Sequence, residues 1–166
     1  MPYLLDANVF IQAKNLQYGF DFCPAFWDWL LAANAANVVF SIDEVGKELK
    51  VGGDPLAVWA AARGDQFFLT PNAGVLASLT ATSTWAANSG FAAAAVNGFL
   101  AVADYHLVAR AHANGVTVVT HEVLDASTKR IKIPVACQAL GIAWMTPYQM
   151  LSAEQAQFVL GPASKP

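Results

Sequence analysis

The stretch that decides the fold of this chain is Val116-Thr117-Val118-Val119-Thr120-His121-Glu122. It starts as an apolar run, which is typical of a strand buried on both faces, and it then places a hydroxyl and a carboxylate beyond its last apolar residue. A stretch of the same design lies near the start of the chain, Tyr3-Leu4-Leu5-Asp6-Ala7-Asn8-Val9-Phe10. Because open parallel α/β sheets bind ligands at the carboxyl ends of their strands, we expect the two acids to share a site at one sheet edge.

Apolar runs alternate with helical patterns along the rest of the chain. Strands are expected at 3–6, 38–40, 116–120 and 142–145, and residues 67–69 form either a short strand or the entry to a loop. The clearest helices are expected at 20–36, 42–50 and 104–114. Ser41 is expected to cap the second of these helices, with Glu44 three residues on as its capping-box partner. The alternation predicts an α/β fold in one domain over residues 1–166, with a parallel sheet covered by helices on both faces.

The composition limits the class of protein. The chain has 166 residues, of which 56% are hydrophobic and 13% charged, which predicts a thick core or a surface covered by a partner. The net charge of −3 excludes an overall basic field, so any nucleic-acid contact must use a local basic patch. Cys23 and Cys137 have no zinc or redox spacing, and we expect buried thiols in a cytoplasmic protein. No signal peptide is expected, because Asp6 interrupts the first apolar run.

Residues 66–103 contain no charged residue. Polar pieces at 80–84 and 88–90 divide this segment into parts that are too short to span a bilayer. We therefore expect two helices, at about 72–87 and 91–101, inside the core or against a partner, and no membrane span. Because exposed apolar surface commonly marks an interaction site, a homodimer is expected.

Two acids follow the paired strands directly. Asp6 ends the first strand, where it could cap the following helix or bind a metal ion. Glu122 comes three residues after the last apolar residue of its strand, where it could reach the same site or lie in a solvated loop. Asp125 is the alternative acid in that loop.

Two further acids lie on helices. On the 42–50 helix, Glu48 lies roughly 90° from the centre of the apolar stripe, closer than the other acids of that helix, although a surface ion pair is an alternative. On the 104–114 helix, Asp104 shares the stripe of Leu107, Val108 and Ala111. A carboxylate on a buried face needs a partner, and an N-cap role would also suit Asp104. Converging carboxylates raise one another's pKa unless a cation lies among them, and oxygen ligands favour Mg²⁺ or Mn²⁺ over zinc.

Taken in order, these segments resemble the PIN domain family. The matching segments are Leu5 to Ile11, Ser41 to Leu49, Ala103 to Ala109 and Val118 to Glu122. The resemblance implies a three-layer α/β/α nuclease fold. It also implies that Asp6, Glu48, Asp104 and Glu122 form an acidic quartet that binds Mg²⁺ or Mn²⁺, with Asn8 and Thr120 supporting it. Glu122 departs from the pattern, since many relatives have Asp there.

The same resemblance implies a metal-dependent ribonuclease similar to VapC-type toxins, with a protein antitoxin as its partner. Its products would carry a 5′-phosphate and a 3′-hydroxyl. Two alternatives stay open, namely a housekeeping PIN-like nuclease that acts on structured RNA or DNA, and an inactive binding scaffold of the same fold. An aspartyl phosphatase is disfavoured, because Asn8 stands where that class generally has a second Asp.

RNA must reach an acidic pocket through basic residues at its rim. The first candidates for phosphate contacts are Lys129, Arg130 and Lys132, which follow the Glu122 strand. Lys14, on the helix after Asp6, is the second. An ordinary solvated loop is the alternative, because such charge clusters are common without a function.

Overall fold

The computed structural model of the protein describes residues 2–159. The elements in chain order are β1 (Tyr3–Leu5), α1 (Ala7–Gln12), a π-helix (Ala13–Gln17), α2 (Pro24–Ala35), β2 (Val39–Ile42), α3 (Asp43–Lys50), α4 (Pro55–Ala61), β3 (Phe68–Leu69), a 3₁₀ turn (Ala73–Val75), α5 (Leu76–Asn88), α6 (Ala93–Leu100), α7 (Ala103–Asn114), β4 (Thr117–Val119), α8 (Ile133–Ala139), β5 (Trp144–Met145) and α9 (Pro147–Ala153). Each expected strand and helix is present within a few residues of its expected bounds. Gly115, in the left-handed conformation with φ of 61°, ends α7 as the sequence predicts.

The five strands form one parallel sheet in the order β3-β2-β1-β4-β5. Helices cover both faces, so residues of the central strands such as Leu5, Val39 and Val118 are fully buried. This explains why the strands appear as continuous apolar runs rather than as alternating patterns. The predicted three-layer α/β/α fold is confirmed.

The central strand β1 lies between β2 and β4, and it determines where a ligand site can form. Leu5 at the end of β1 is the register partner of Val119 at the end of β4. After β1 the chain forms β2 on one side of β1. Strand β4 pairs with the other side of β1, and the chain then continues away from β1 to β5. Neighbouring connections therefore diverge at the carboxyl ends of β1 and β4, which leaves a crevice there.

Ser41 does not cap α3, so the expected capping box was wrong. Strand β2 continues to Ile42, which occupies the N-cap position of α3 and makes no side-chain cap bond. The Ser41 side chain is fully buried, and its Oγ donates a 2.6 Å hydrogen bond to the backbone oxygen of Leu5. Glu44 instead lies 3.8 Å from the His106 ring. Pairing of β2 with β1 prevails over local capping because it satisfies a buried hydroxyl and a buried carbonyl together.

Helix α3 packs very closely on the edge of the sheet. A Cβ atom at Gly46 would come within 2.9 Å of the Phe68 ring of β3. Only glycine permits this approach without displacing the ring. The contact sets the distance between α3, which carries Glu48 in its last turn, and the edge strand β3.

The uncharged segment 66–103 forms β3 and the helices α5 and α6, and α5 packs mainly on α7. Among residues 2–159, no helix has both the length and the apolar character that crossing a bilayer requires. The expectation of two buried thiols is confirmed for Cys137 but was wrong for Cys23, which is only half-buried. Burial raises the pKa of Cys137 to about 12, so this thiol stays protonated.

Replacing Ser41 by Ala should lower the free energy of unfolding by about 1–2 kcal/mol, because the Leu5 carbonyl would lose a buried hydrogen-bond donor. Urea unfolding followed by circular dichroism measures the change. Ser83→Ala is the matched control, since Ser83 Oγ donates to the Thr80 oxygen on an exposed part of α5. Equal effects of the two substitutions would show that the Ser41 contact contributes nothing to stability.

Candidate active site

A pocket of about 540 Å³ lies at the carboxyl ends of β1 and β4, where the crevice is expected. The four acids predicted from the sequence all line it. The other polar residues of its lining are Asn8, Lys129 and Arg130, and its apolar residues are Ala7, Ile11, Ala94, Ala95, Gly98, Phe99, Val102 and Ile131. The pocket thus combines an acidic floor, a basic side and an apolar wall.

Hydrogen bonds around Thr120 connect the ends of the two strands. The Thr120 hydroxyl donates to Asp6 Oδ2 over 2.8 Å and accepts from Asn8 Nδ2 over 3.1 Å. It also accepts the backbone N–H of Glu122 over 3.0 Å, while Asn8 Oδ1 accepts the N–H of His121. Every hydrogen-bonding position of the hydroxyl is therefore used. Asn8 and Thr120 hold the Asp6 carboxylate in one orientation.

Asp6 is the most deeply buried acid of the site, with 4% of its surface exposed. It occupies the N-cap position of α1, but its side chain makes no cap bond there and turns to Thr120 instead. Burial, followed by the charge of Asp104, raises the pKa of Asp6 to about 7, although the Thr120 hydrogen bond opposes the rise. The charge of Glu48 adds to the increase.

Asp104 and Glu48 reach the pocket from two helices. Asp104 lies in the first turn of α7, whose N-cap residue is Val102, so the expected N-cap role was wrong. Burial raises the pKa of Asp104, while the charge of Arg130 opposes the rise. Burial and then the charge of Asp104 raise the pKa of Glu48. Asp6, Glu48 and Asp104 therefore form an electrostatically coupled group, here called the acidic triad.

Glu122 lines the same pocket, but its carboxylate is already bound on both sides. Oε1 forms an ion pair with the Arg130 guanidinium, and Oε2 accepts the backbone N–H of Ile133 over 2.8 Å. Within residues 2–159, the members of the acidic triad form no ion pair. Glu122 thus differs from the triad in forming a direct ion pair, although the charge of Arg130 also acts on Asp104.

The donors of the acidic triad suit a hard divalent cation, since they are carboxylate oxygens with raised pKa values that form no ion pair among the described residues. The distances between these side chains, however, are too long for a metal site. Among the described residues, no three His, Cys, Asp or Glu side chains are arranged closely enough to hold a metal ion as they stand. Asp6, Glu48 and Asp104 would hold such an ion only after their side chains move towards one another.

The predicted basic residues divide into two sets. Lys129 and Arg130 line the pocket. Lys14 pairs instead with Asp54 at 2.5 Å, and Lys132 pairs with Asp125, and neither lysine lines the pocket. Only the first set is placed to meet a phosphate that enters the pocket.

The apolar wall of the pocket was missed by sequence reasoning. Helix α6 contributes Ala94, Ala95, Gly98 and Phe99 to it. The available signal was a run of small residues directly before the Asp104 helix, but we assigned that run to the core or to a partner surface. Its helical periodicity does not show which neighbour it faces.

A family model described as a domain of unknown function, DUF4411, matches residues 3–158. The chain belongs to the DUF4411 family. No curated protein matches the sequence significantly.

Solved structures share the fold of this DUF4411 chain. VapBC2 from Rickettsia felis, bound to a DNA fragment from the promoter, is 15% identical with a TM-score of 0.54, over 88% of this chain and 98% of that chain. FitAcB from Neisseria gonorrhoeae is 18% identical with a TM-score of 0.51 over the same shares. FitAB bound to an IR36 DNA fragment is 18% identical with a TM-score of 0.53, over 88% and 95%. At these identities the likeness shows the fold alone, which is the PIN-like fold predicted from the sequence.

The stability of this DUF4411 chain without added metal should fall as the pH rises from about 4 to about 7. The pKa of Asp6 is about 7 in the folded state against an ordinary value of 3.8, so in this range the folded state holds a proton that the unfolded state has lost. The slope should approach ~1.4 kcal/mol per pH unit, and the loss is complete above the folded pKa. Urea unfolding across this pH range measures it.

Asp6→Asn should remove most of this pH dependence and stabilise the protein at pH 8. Asp43→Asn is the control, because Asp43 lies outside the pocket and pairs with Lys47 at 2.6 Å. A parent protein whose stability does not change between pH 4 and 7 would contradict the assigned pKa of Asp6.

Thr120→Val should destabilise the DUF4411 fold by ~1–3 kcal/mol, because Asp6 loses a buried donor and Asn8 loses its acceptor. Thr120→Ser retains the hydroxyl and should cost less. The stability of both variants is measured by urea unfolding at pH 7. If valine and serine cost the same, the hydroxyl does not hold Asp6.

Proposed function

We propose that the protein is a metal-dependent endoribonuclease and the toxin of a toxin–antitoxin module, with residues 1–166 as its single nuclease domain. One observation carries the proposal. Three acids distant in the sequence, Asp6, Glu48 and Asp104, meet in one pocket at the divergence of β1 and β4, where burial raises the pKa of each and the charge of Asp104 raises the pKa of the other two further. Such an unpaired group is costly to maintain for stability alone, so it suggests a functional site.

The residues of the pocket have distinct roles in this proposal. Asp6, Glu48 and Asp104 would hold Mg²⁺ or Mn²⁺. When bound, the cation would lower the pKa of a water molecule and neutralise charge on the phosphodiester. Thr120 and Asn8 keep Asp6 oriented, and Lys129 and Arg130 would attract the RNA phosphates into a pocket that would otherwise repel them. The apolar wall from α6 gives the ribose and base a non-polar surface.

The antitoxin is proposed because the sequence resembles VapC-type toxins, and because VapBC2, which shares the fold, is bound to a DNA fragment from its promoter. The α5 and α6 segment offers exposed apolar surface, including Leu76 at 63% exposed. Such surface suits a protein partner. A homodimer and a cytoplasmic location stay predictions.

Purified protein should cut a mixed RNA pool with Mn²⁺ or Mg²⁺, and chelation should stop the reaction. Asp6→Asn and Asp104→Asn should each lower the rate at least ~100-fold, because each removes a charged metal ligand. Asp43→Asn, an acid outside the pocket on α3, should leave the rate unchanged. Cleavage is measured on denaturing gels.

Cutting that survives both pocket substitutions would contradict the assigned site. No cutting by any folded form would favour the inactive scaffold of the same fold. Cutting without growth arrest on expression would favour the housekeeping nuclease over the toxin.

A further inference from the structure

The hydrogen bonds and the ion pair of Glu122 are typical of a residue with a structural role. Its side chain is 10% exposed, and each of its carboxylate oxygens has a partner, Arg130 on one side and the Ile133 N–H on the other. Its own backbone N–H is bound by the Thr120 hydroxyl. A carboxylate that is already paired with a guanidinium is a weaker metal ligand than one without an ion-pair partner, because a metal ion must compete with the guanidinium for it.

These bonds close the loop between β4 and α8. The segment 120–132 has no helix or strand, and Glu122 joins its start to Ile133, the first residue of α8. The Thr120 bond ties the same residue to the end of β4. Glu122 therefore ties the start of the loop to its end, where Arg130 lies three residues before α8.

Arg130 is held at one edge only. Its side chain is 62% exposed while that of Glu122 is 10% exposed, and Arg130 lines the pocket together with the acidic triad. A guanidinium presents several N–H donors in one plane, so a carboxylate on one edge leaves donors free for a phosphate. The other ion pair of the loop, Lys132 with Asp125, lies outside the pocket.

We propose that Glu122 is a positioning residue that holds the Arg130 guanidinium at the pocket opening as the phosphate-binding group for RNA, and that Glu122 is not a metal ligand. The metal site then consists of Asp6, Glu48 and Asp104 alone. The inference rests on the proposed nuclease function for the identity of the ligand. It revises the acidic quartet expected from the family resemblance into a triad and an ion pair.

The direction in which one substitution changes the affinity for RNA tests the proposal. Glu122→Gln keeps an oxygen for the Ile133 N–H but removes the charge that holds Arg130. If Glu122 were only a negative charge near the RNA, its neutralisation would strengthen RNA binding. If Glu122 positions Arg130, the same substitution weakens RNA binding. Asp125→Asn is the matched control, because it removes an equal charge from the same loop and should leave RNA binding unchanged or stronger.

RNA binding is measured by fluorescence anisotropy of a labelled single-stranded RNA, in an Asp6→Asn background that prevents cleavage. Arg130→Gln should weaken binding about tenfold and reduce the salt slope by about 0.7, as expected for one lost phosphate contact on a single strand. Glu122→Gln should also weaken RNA binding. The double variant should bind no more weakly than Arg130→Gln alone, because the two residues act as one unit.

Metal binding gives an independent readout. Calorimetric titration with Mn²⁺ on an otherwise unchanged background should show less than about threefold loss for Glu122→Gln, against at least about tenfold for Asp104→Asn. A loss in Glu122→Gln equal to that in Asp104→Asn overturns the proposal, and so does tighter RNA binding by Glu122→Gln or by Arg130→Gln. Tighter RNA binding by Arg130→Gln would show that Arg130 blocks the pocket.

Neither readout requires cleavage. If the parent protein binds Mn²⁺ and RNA in the expected pattern but does not cut, the nuclease proposal fails and the role of Glu122 stands. If it cuts while Glu122→Gln loses Mn²⁺, the nuclease stands and the role of Glu122 fails. Circular dichroism and urea unfolding confirm that each variant is folded before it is compared.

Discussion

The pocket depends on one hydrogen bond, from the Thr120 hydroxyl to Asp6 Oδ2. The bond exists because β1 and β4 run parallel and in register, with Leu5 opposite Val119, so that the residues after each strand meet. A carboxylate buried at the middle of a sheet edge needs a donor close by. Thr120 provides this donor, and it also accepts hydrogen bonds from the other two residues that shape the floor of the pocket, Asn8 and Glu122.

The acids around this bond fall into two groups, according to whether they form an ion pair. Asp6, Glu48 and Asp104 have raised pKa values and form no ion pair among the described residues, although the charge of Arg130 acts on Asp104, whereas Glu122 is paired directly with Arg130. Clustered like charges without a partner oppose folding, and burial increases the cost. A protein retains such a cost where it is offset by a ligand. In the proposed function, this separation would give the two ends of one pocket different tasks, with cation binding at the floor and anion binding at the opening.

Much of this arrangement could be predicted from the sequence. Buried strands are apolar throughout, so the sheet could be predicted. The carboxyl ends of parallel strands lie at one edge of the sheet, which predicted a shared site for Asp6 and Glu122. The position of Asp104 on an apolar stripe predicted that it would turn inward, as the structure shows. These predictions succeeded because they depend on periodicity and strand direction, which are local properties of the chain.

Other features depend on tertiary contacts that no local pattern encodes. Ser41 has a capping-box partner in sequence, yet it lies in a strand because the Leu5 carbonyl is near. Lys14 and Lys132 were expected at the rim, but each pairs with an acid that folding brings close. The pairing of Glu122 with Arg130 follows from the path of an irregular loop, and the α6 wall follows from which neighbour that helix faces. Neither could be predicted before the fold was known.

The insertion of β1 between β2 and β4 has a consequence for synthesis of the protein. Asp6 is made first, but its hydrogen-bond donor comes 114 residues later, and Glu48 and Asp104 lie between them. A nascent chain on the ribosome that has not yet released β4 has the acid without the strand that orients it. The site therefore cannot assemble until most of the chain has left the ribosome. A nuclease built in this way would not be active against the RNA from which it is being translated until its own synthesis is nearly complete.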